Sequence, residues 1–157
     1  MDGEHGFREL SRTVHDYGKG IRVGEATLRG PDGAVLRRRY LHTPEIVAIV
    51  AVYLGDLLLV REFRPAVGAE VLQIPTGKVL DGGDPQSCAR AELAEETGFH
   101  ADWCEPVGTL LSVPGWMDQV LHVYRAVDPV ALTSRPESDD PDDVEERHST
   151  AVRLTLG

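Results

Sequence analysis

Three glutamates, Glu92, Glu95 and Glu96, fall within five residues and stop just ahead of Gly98. On a helix that spacing puts them on one side, one turn apart. The position is electrostatically poor: an acid at the C-terminal end of a helix loses roughly 0.3–1 kcal/mol to the macrodipole, and like charges at i,i+3 and i,i+4 cost a few tenths more. A positive group should offset this. The nearest basic residue, Arg90, lies two positions before Glu92 and faces about 200° away from it around the helix. A divalent cation is the better partner, since hard carboxylate oxygens suit Mg²⁺, with Mn²⁺ as a substitute, and such sites are completed by water and substrate phosphates.

The helix that carries the acids is well signalled. Asp84 stands at the cap, Pro85 at the first helical position, Ala and Leu fill the interior and Gly98 follows, which predicts a helix over 85–97. The run from Gly77 to Phe99, ending E-L-A-E-E-T-G-F, resembles the Nudix box, the metal-binding loop-helix-loop of the Nudix hydrolases. Two box positions differ: the family's Glu six residues after the opening glycine is Gly83, and its Arg before the first helix glutamate is Ala91. Upstream, LLLVREFRPAVGAEVLQIPTGK, with its Pro75-Thr76-Gly77-Lys78 turn, is similar to the ADP-ribose and nucleotide-sugar pyrophosphatase branch. Downstream, VPGWMDQVLHVYRA resembles that branch's Ser-Pro-Gly-Phe segment, with Val113, Trp116 and Gln119 at the positions of its Ser, Phe and Glu.

The resemblance implies roles for particular residues. Glu92 and Glu96 are the expected metal ligands, Glu95 shares that shell or orients the attacking water, and the backbone carbonyl of Thr76 is a further ligand. Glu95 or the pair Glu145-Glu146 would act as base. Gly77 belongs with the substrate-binding positions. Arg64, and to a lesser degree Arg61, offers paired N–H donors to a phosphate, against the plainer alternative of an ion pair with Glu62 or Glu70. Trp116, beside the Pro114-Gly115 turn, either stacks on a base or is a packed loop aromatic. Residues 137–146 hold seven acids in ten, which reads as a solvated mobile loop over 137–147.

Other chemistries find little support. The six histidines are scattered without metal-ligand spacing, which argues against zinc. Gly82-Gly83 lacks the GK[ST] ending of a phosphate loop. Two cysteines, Cys88 and Cys104, are too few for a disulfide scaffold. A net charge of −10 opposes a nucleic-acid surface. The absence of an 18-residue apolar run or a charged-then-apolar leader suggests neither membrane nor export, so a cytoplasmic enzyme is expected.

With 157 residues, 41% of them hydrophobic, the chain can bury one core and is expected to form a single domain over 1–157. Strands are predicted at 21–28, 34–41, 45–53, 57–64, 70–74, 107–113, 120–127 and 151–156, the first three as an antiparallel meander with a turn at Pro31-Asp32-Gly33. Helix Ala89 and Leu93 should face the sheet. The fold class is α+β, an α/β/α sandwich with a mixed sheet, and the resemblance makes it the Nudix fold with a box over 76–99. By the same resemblance an N-terminal strand extension over 10–45 packs against or swaps with a second copy in a homodimer. The expected reaction is Mg²⁺-dependent hydrolysis of a nucleoside diphosphate-sugar to a nucleoside monophosphate and a sugar phosphate. Two alternatives are a Nudix enzyme acting on nucleoside triphosphates or other nucleotide derivatives, and a nucleotide sensor without turnover.

Overall fold

The computed structural model describes residues 6–18, 21–80, 82–136 and 149–155. They fall into two compact units, one built from the N-terminal residues to Pro44 with 111–120, the other from 45–110 with 121 onward.

The first unit is a three-stranded antiparallel sheet, β1 (Arg8–Asp16), β2 (Arg22–Arg29) and β3 (Val35–His42), in that spatial order. The β2–β3 turn forms where the sequence places Pro31-Asp32-Gly33. Gly33 takes the left-handed conformation at φ 81°, its N–H donates to the Gly30 carbonyl at 2.9 Å, and Asp32 Oδ1 accepts from Ala34 N–H at 3.0 Å. Gly24 is paired with Tyr40 across the sheet, and the tyrosine ring lies over it so closely that a Cβ at Gly24 would sit 2.1 Å from the ring. Arg12 reaches the same ring from β1, with its guanidinium carbon 5.5 Å from the ring centre and Nη1 donating to the hydroxyl at 2.7 Å.

The meander expected over 21–53 is corrected here in its third strand. The outer partner of β2 is β1, which the sequence reading omitted, and residues 46–50 belong to the other unit. The reason is burial. Every residue of β1 is exposed, so RELSRTVHD has no apolar alternation to betray a strand. By contrast β4 (Ile46–Val50), reading IVAIV, is apolar on both faces, as a central strand covered on two sides requires.

In the second unit β4 lies between β8 (Thr76–Lys78), antiparallel, and β11 (Val120–Val127), parallel, with β10 (Trp103–Leu111) outside β11. This is the mixed sheet. A second sheet is built on β6 (Asp56–Arg64), flanked by β5 (Val52–Tyr53), β7 (Ala69–Gln73) and β13 (Thr150–Thr155). β9 (Phe99–His100) and β12 (Val130–Ala131) form a short pair. One helix occurs among the described residues, α1 (Pro85–Thr97). Its Ala89 and Leu93 are fully buried against Val47, Ile49, Leu58 and Tyr124, as the sequence leads one to expect. Truncating a core leucine of this kind typically costs 2–5 kcal/mol, so roughly that much of the helix's hold rests on Leu93.

Candidate active site

The site grows from two neighbouring pieces of backbone, β8 and α1. Strand β8 is fixed by its register on β4, with Ala48 opposite Thr76 and Val47 opposite Gly77, and Ile49 N–H donates to the Pro75 carbonyl at 2.9 Å. Helix α1 is fixed at both ends. Asp84 accepts from Ser87 N–H at 3.0 Å and from Ser87 Oγ at 2.7 Å, which holds the Asp84 carboxyl below its ordinary range. At the far end Gly98 adopts φ 72° and returns its N–H to the Ala94 carbonyl at 2.9 Å. Cys88 ties the helix back to the strand, its thiol donating to the Lys78 carbonyl at 3.4 Å.

Two of the three glutamates meet β8. Glu96 is 2% exposed, and its Oε2 accepts from the Thr76 backbone N–H at 2.8 Å. An ionised carboxylate is buried only when hydrogen-bonded, so this bond locks the helix end to the turn. Glu92 packs directly on Gly77: a Cβ there would lie 1.8 Å from Oε1 and 1.9 Å from Cδ, and Oε2 is shut off from solvent. Only glycine leaves this space. Glu95 is partly exposed on the same helix. Burial, followed by the charges of Glu92 and Glu95, pushes the Cys88 thiol up to about 12, so a thiolate plays no part at neutral pH.

No basic residue lies in the last turn of α1. Arg90 points elsewhere as expected, toward the Asp102 carbonyl and Ser87 Oγ. The positive group at this pole comes from 40 residues away: the Arg135 guanidinium donates to the Glu95 carbonyl, and to Ser149 Oγ at 2.8 Å and the Ser149 carbonyl at 3.3 Å. Sequence reasoning missed this residue. Its only local signal is an Arg-Pro step ahead of an acidic run, which says nothing about a helix end so distant in the chain.

The other expected residues are placed as follows. Arg64 is held on β6 by Glu62, 4% exposed, with Nη2 to Oε2 at 2.8 Å, and its Nε donates to Gln73 Oε1 at 3.3 Å. The ion pair with Glu62 is therefore present, and buried rather than superficial on the glutamate side. Arg61 leaves the strand on the opposite face and is exposed, so the two arginines do not share one face of β6. Glu145 and Glu146, with the acidic loop over 137–147, lie outside the described residues. Trp116 belongs to the first unit. It is 76% exposed and lines a cavity of about 370 Å³ with Val23, Arg39, Tyr40, Leu41 and Gly115.

No cluster of three or more His, Cys, Asp or Glu side chains among the described residues forms a ready cage for a metal ion. The donor set nonetheless fits Mg²⁺, which is bound through one or two carboxylates completed by water and substrate oxygens rather than by a full protein cage. Glu92 and Glu96, packed on the glycine cradle and on the Thr76 amide, are two carboxylates of the kind such a site uses.

Residues 42–154 match the NUDIX domain, and the chain belongs to that family. The chain is 32% identical over 116 residues to an ADP-ribose pyrophosphatase of Bacillus subtilis (strain 168), a match covering 73% of this chain and 63% of that protein. It is 28% identical to an ADP-ribose pyrophosphatase of Mycobacterium tuberculosis (strain ATCC 25618 / H37Rv), over 98% of this chain and 70% of the other. A crystal structure of an ADP compounds hydrolase superposes with a TM-score of 0.77 at 22% identity, covering 96% of this chain and 78% of that one. The mixed sheet with its loop-helix-loop is the Nudix fold.

Proposed function

We propose that this protein is a pyrophosphohydrolase that cleaves the P–O–P bond of a nucleoside diphosphate-sugar, with Mg²⁺ or Mn²⁺, to a nucleoside monophosphate and a sugar phosphate. The observation that carries the reading is the join of α1 to β8, where Glu92 fills the space over Gly77 and Glu96 takes the Thr76 amide. Relatives named ADP-ribose pyrophosphatase support the substrate class.

Glu92, Glu96 and the Thr76 carbonyl would hold the ion, which when bound neutralises phosphate charge and lowers the pKa of coordinated water. Glu95, partly exposed on the same helix, would orient an attacking water and accept its proton. Glu145 or Glu146 is the other candidate base. Arg64, fixed by Glu62 and Gln73, presents N–H donors to a phosphate. Taken by itself, the first unit's cavity beside Trp116 and Tyr40 presents aromatic rings of the kind that receive a flat nucleotide base. The β1 strand, exposed along its length and with a second strand on one side alone among the described residues, supports a homodimer formed through the N-terminal strands.

The test is release of nucleoside monophosphate, with and without Mg²⁺, from ADP-ribose, UDP-sugars, GDP-sugars and nucleoside triphosphates, for the wild type and the Glu92→Gln and Glu96→Gln variants. Turnover of diphosphate sugars, dependent on the ion and lost in both variants, is the expected result. Turnover of triphosphates alone would move the substrate class, and nucleotide binding without turnover would make the domain a sensor.

A further inference from the structure

The loop that carries Trp116 is fastened to the end of β3 by a set of bonds that converge on one acid. Asp118 Oδ2 lies 2.6 Å from His42 Nδ1, and Oδ1 accepts from the Thr43 backbone N–H at 3.0 Å. Around this pair the backbones zip together: Leu41 N–H donates to the Trp116 carbonyl at 2.8 Å, Asp118 N–H donates to the Leu41 carbonyl at 3.2 Å, and Leu41 bridges Met117. The loop is also closed on itself, with Trp116 N–H and Met117 N–H both donating to the Val113 carbonyl at 2.9 and 3.0 Å. The indole, 76% exposed, is thus set by its backbone rather than by packing of its ring.

We propose that Asp118 and His42 are positioning residues that hold the Trp116 loop on β3 as one wall of the cavity facing Tyr40, so that this wall stands formed before substrate arrives. The physical argument is entropic. The eight-residue loop 112–119 between β10 and β11, with its exposed aromatic, has little buried apolar surface to fix it, and each residue left unfixed would have to be ordered at binding at the expense of affinity. One carboxylate bonded to the side chain that ends β3 and to the backbone amide of the next residue removes that cost in advance. Its bonds are part-buried rather than exposed, which shields them from competing water.

The consequence for binding rests on the reading of this cavity as the nucleotide's, while the clasp itself does not. The experiment measures amide hydrogen exchange by NMR at Leu41, Trp116 and Met117, together with kcat and KM for ADP-ribose, in the wild type, Asp118→Ala and His42→Asn. Asp118→Ala should speed exchange at those amides at least tenfold, leave the amides of α1 protected, and raise KM tenfold or more with kcat within threefold. His42→Asn, whose amide nitrogen takes the place of the bonded Nδ1 as a donor to Asp118, should recover most of the protection and of KM. Unchanged exchange in Asp118→Ala would overturn the clasp. Faster exchange with KM unchanged would overturn its role in binding. A wild type that hydrolyses no diphosphate sugar would overturn the functional reading and leave the clasp to be judged by exchange alone.

Discussion

Gly77 is the residue on which the carboxylate geometry turns. Its φ is not in the left-handed region, so the need for glycine is one of space: any Cβ would land within 2 Å of the Glu92 carboxylate. Gly77→Ala should therefore displace Glu92 by about an ångström and lower kcat about a hundredfold, since misplacement on that scale costs about this much, while circular dichroism shows the helix retained. Gly83 is constrained differently. A side chain there would start 2.9 Å from the Leu80 carbonyl oxygen, so the departure from the family pattern at this position is built into the loop, and Gly83→Glu should not raise activity over wild type in the same assay. The helix placement of the three glutamates was legible in the sequence because one capped helix carries them all, whereas the packing of Glu92 on Gly77 was not. Arg135 was not, because its bond to the Glu95 carbonyl joins residues 40 apart, and no local pattern reports such a pairing.

At the scale of elements, α1 was legible to the residue, with Asp84 bonding Ser87 at one end and Gly98 in the left-handed conformation at the other. Strands were legible where burial imposes a pattern and not elsewhere. The sequence reading ran 45–53 as one strand, whereas β4 ends at Val50 and β5 opens a hairpin into β6 through Leu54-Gly55. That hairpin has φ 52° at Leu54 and 87° at Gly55, the pair of positive angles that a two-residue type I′ turn demands and that Asn-Gly supplies without strain. Leucine is a poor occupant, costing roughly 1–2 kcal/mol in this conformation, and its side chain is exposed. Leu54→Asn should accordingly stabilise the protein by about 1 kcal/mol in a urea titration, with an unchanged slope.

For the whole molecule, the charge of −10 is not spread evenly in its effect: seven acids lie within 137–146, outside the described residues, while the N-terminal sheet is rich in arginine, with Arg37, Arg38 and Arg39 consecutive on β3. Leu10 and Val14 stand exposed on β1. Apolar residues on an uncovered edge are where a second copy would pair. The double variant Leu10→Glu with Val14→Glu should convert a dimer to a monomer in size-exclusion chromatography with light scattering, and a wild type already monomeric would refute the homodimer. The sequence could suggest this only through resemblance, because a strand exposed along its whole length leaves no periodic trace.

The join between β8 and α1 bears on how this chain can change and still work. Glu92 against Gly77 and Glu96 against the Thr76 amide act as a two-point gauge of helix phase: rotate α1 by the 100° of a single residue, and neither tooth meets its notch. In the connection that follows Lys78, Val79 N–H donates to the Glu45 carbonyl and Gly83 N–H to the Leu80 carbonyl, and neither bond sets the phase of the helix. An insertion between them is bridged at a cost that grows only slowly with length, whereas a single residue added or removed between Pro85 and Glu92 strips the gears. A designer seeking to graft this helix onto another scaffold would have to carry the Thr76-Gly77 step with it, and could lengthen the connection in between.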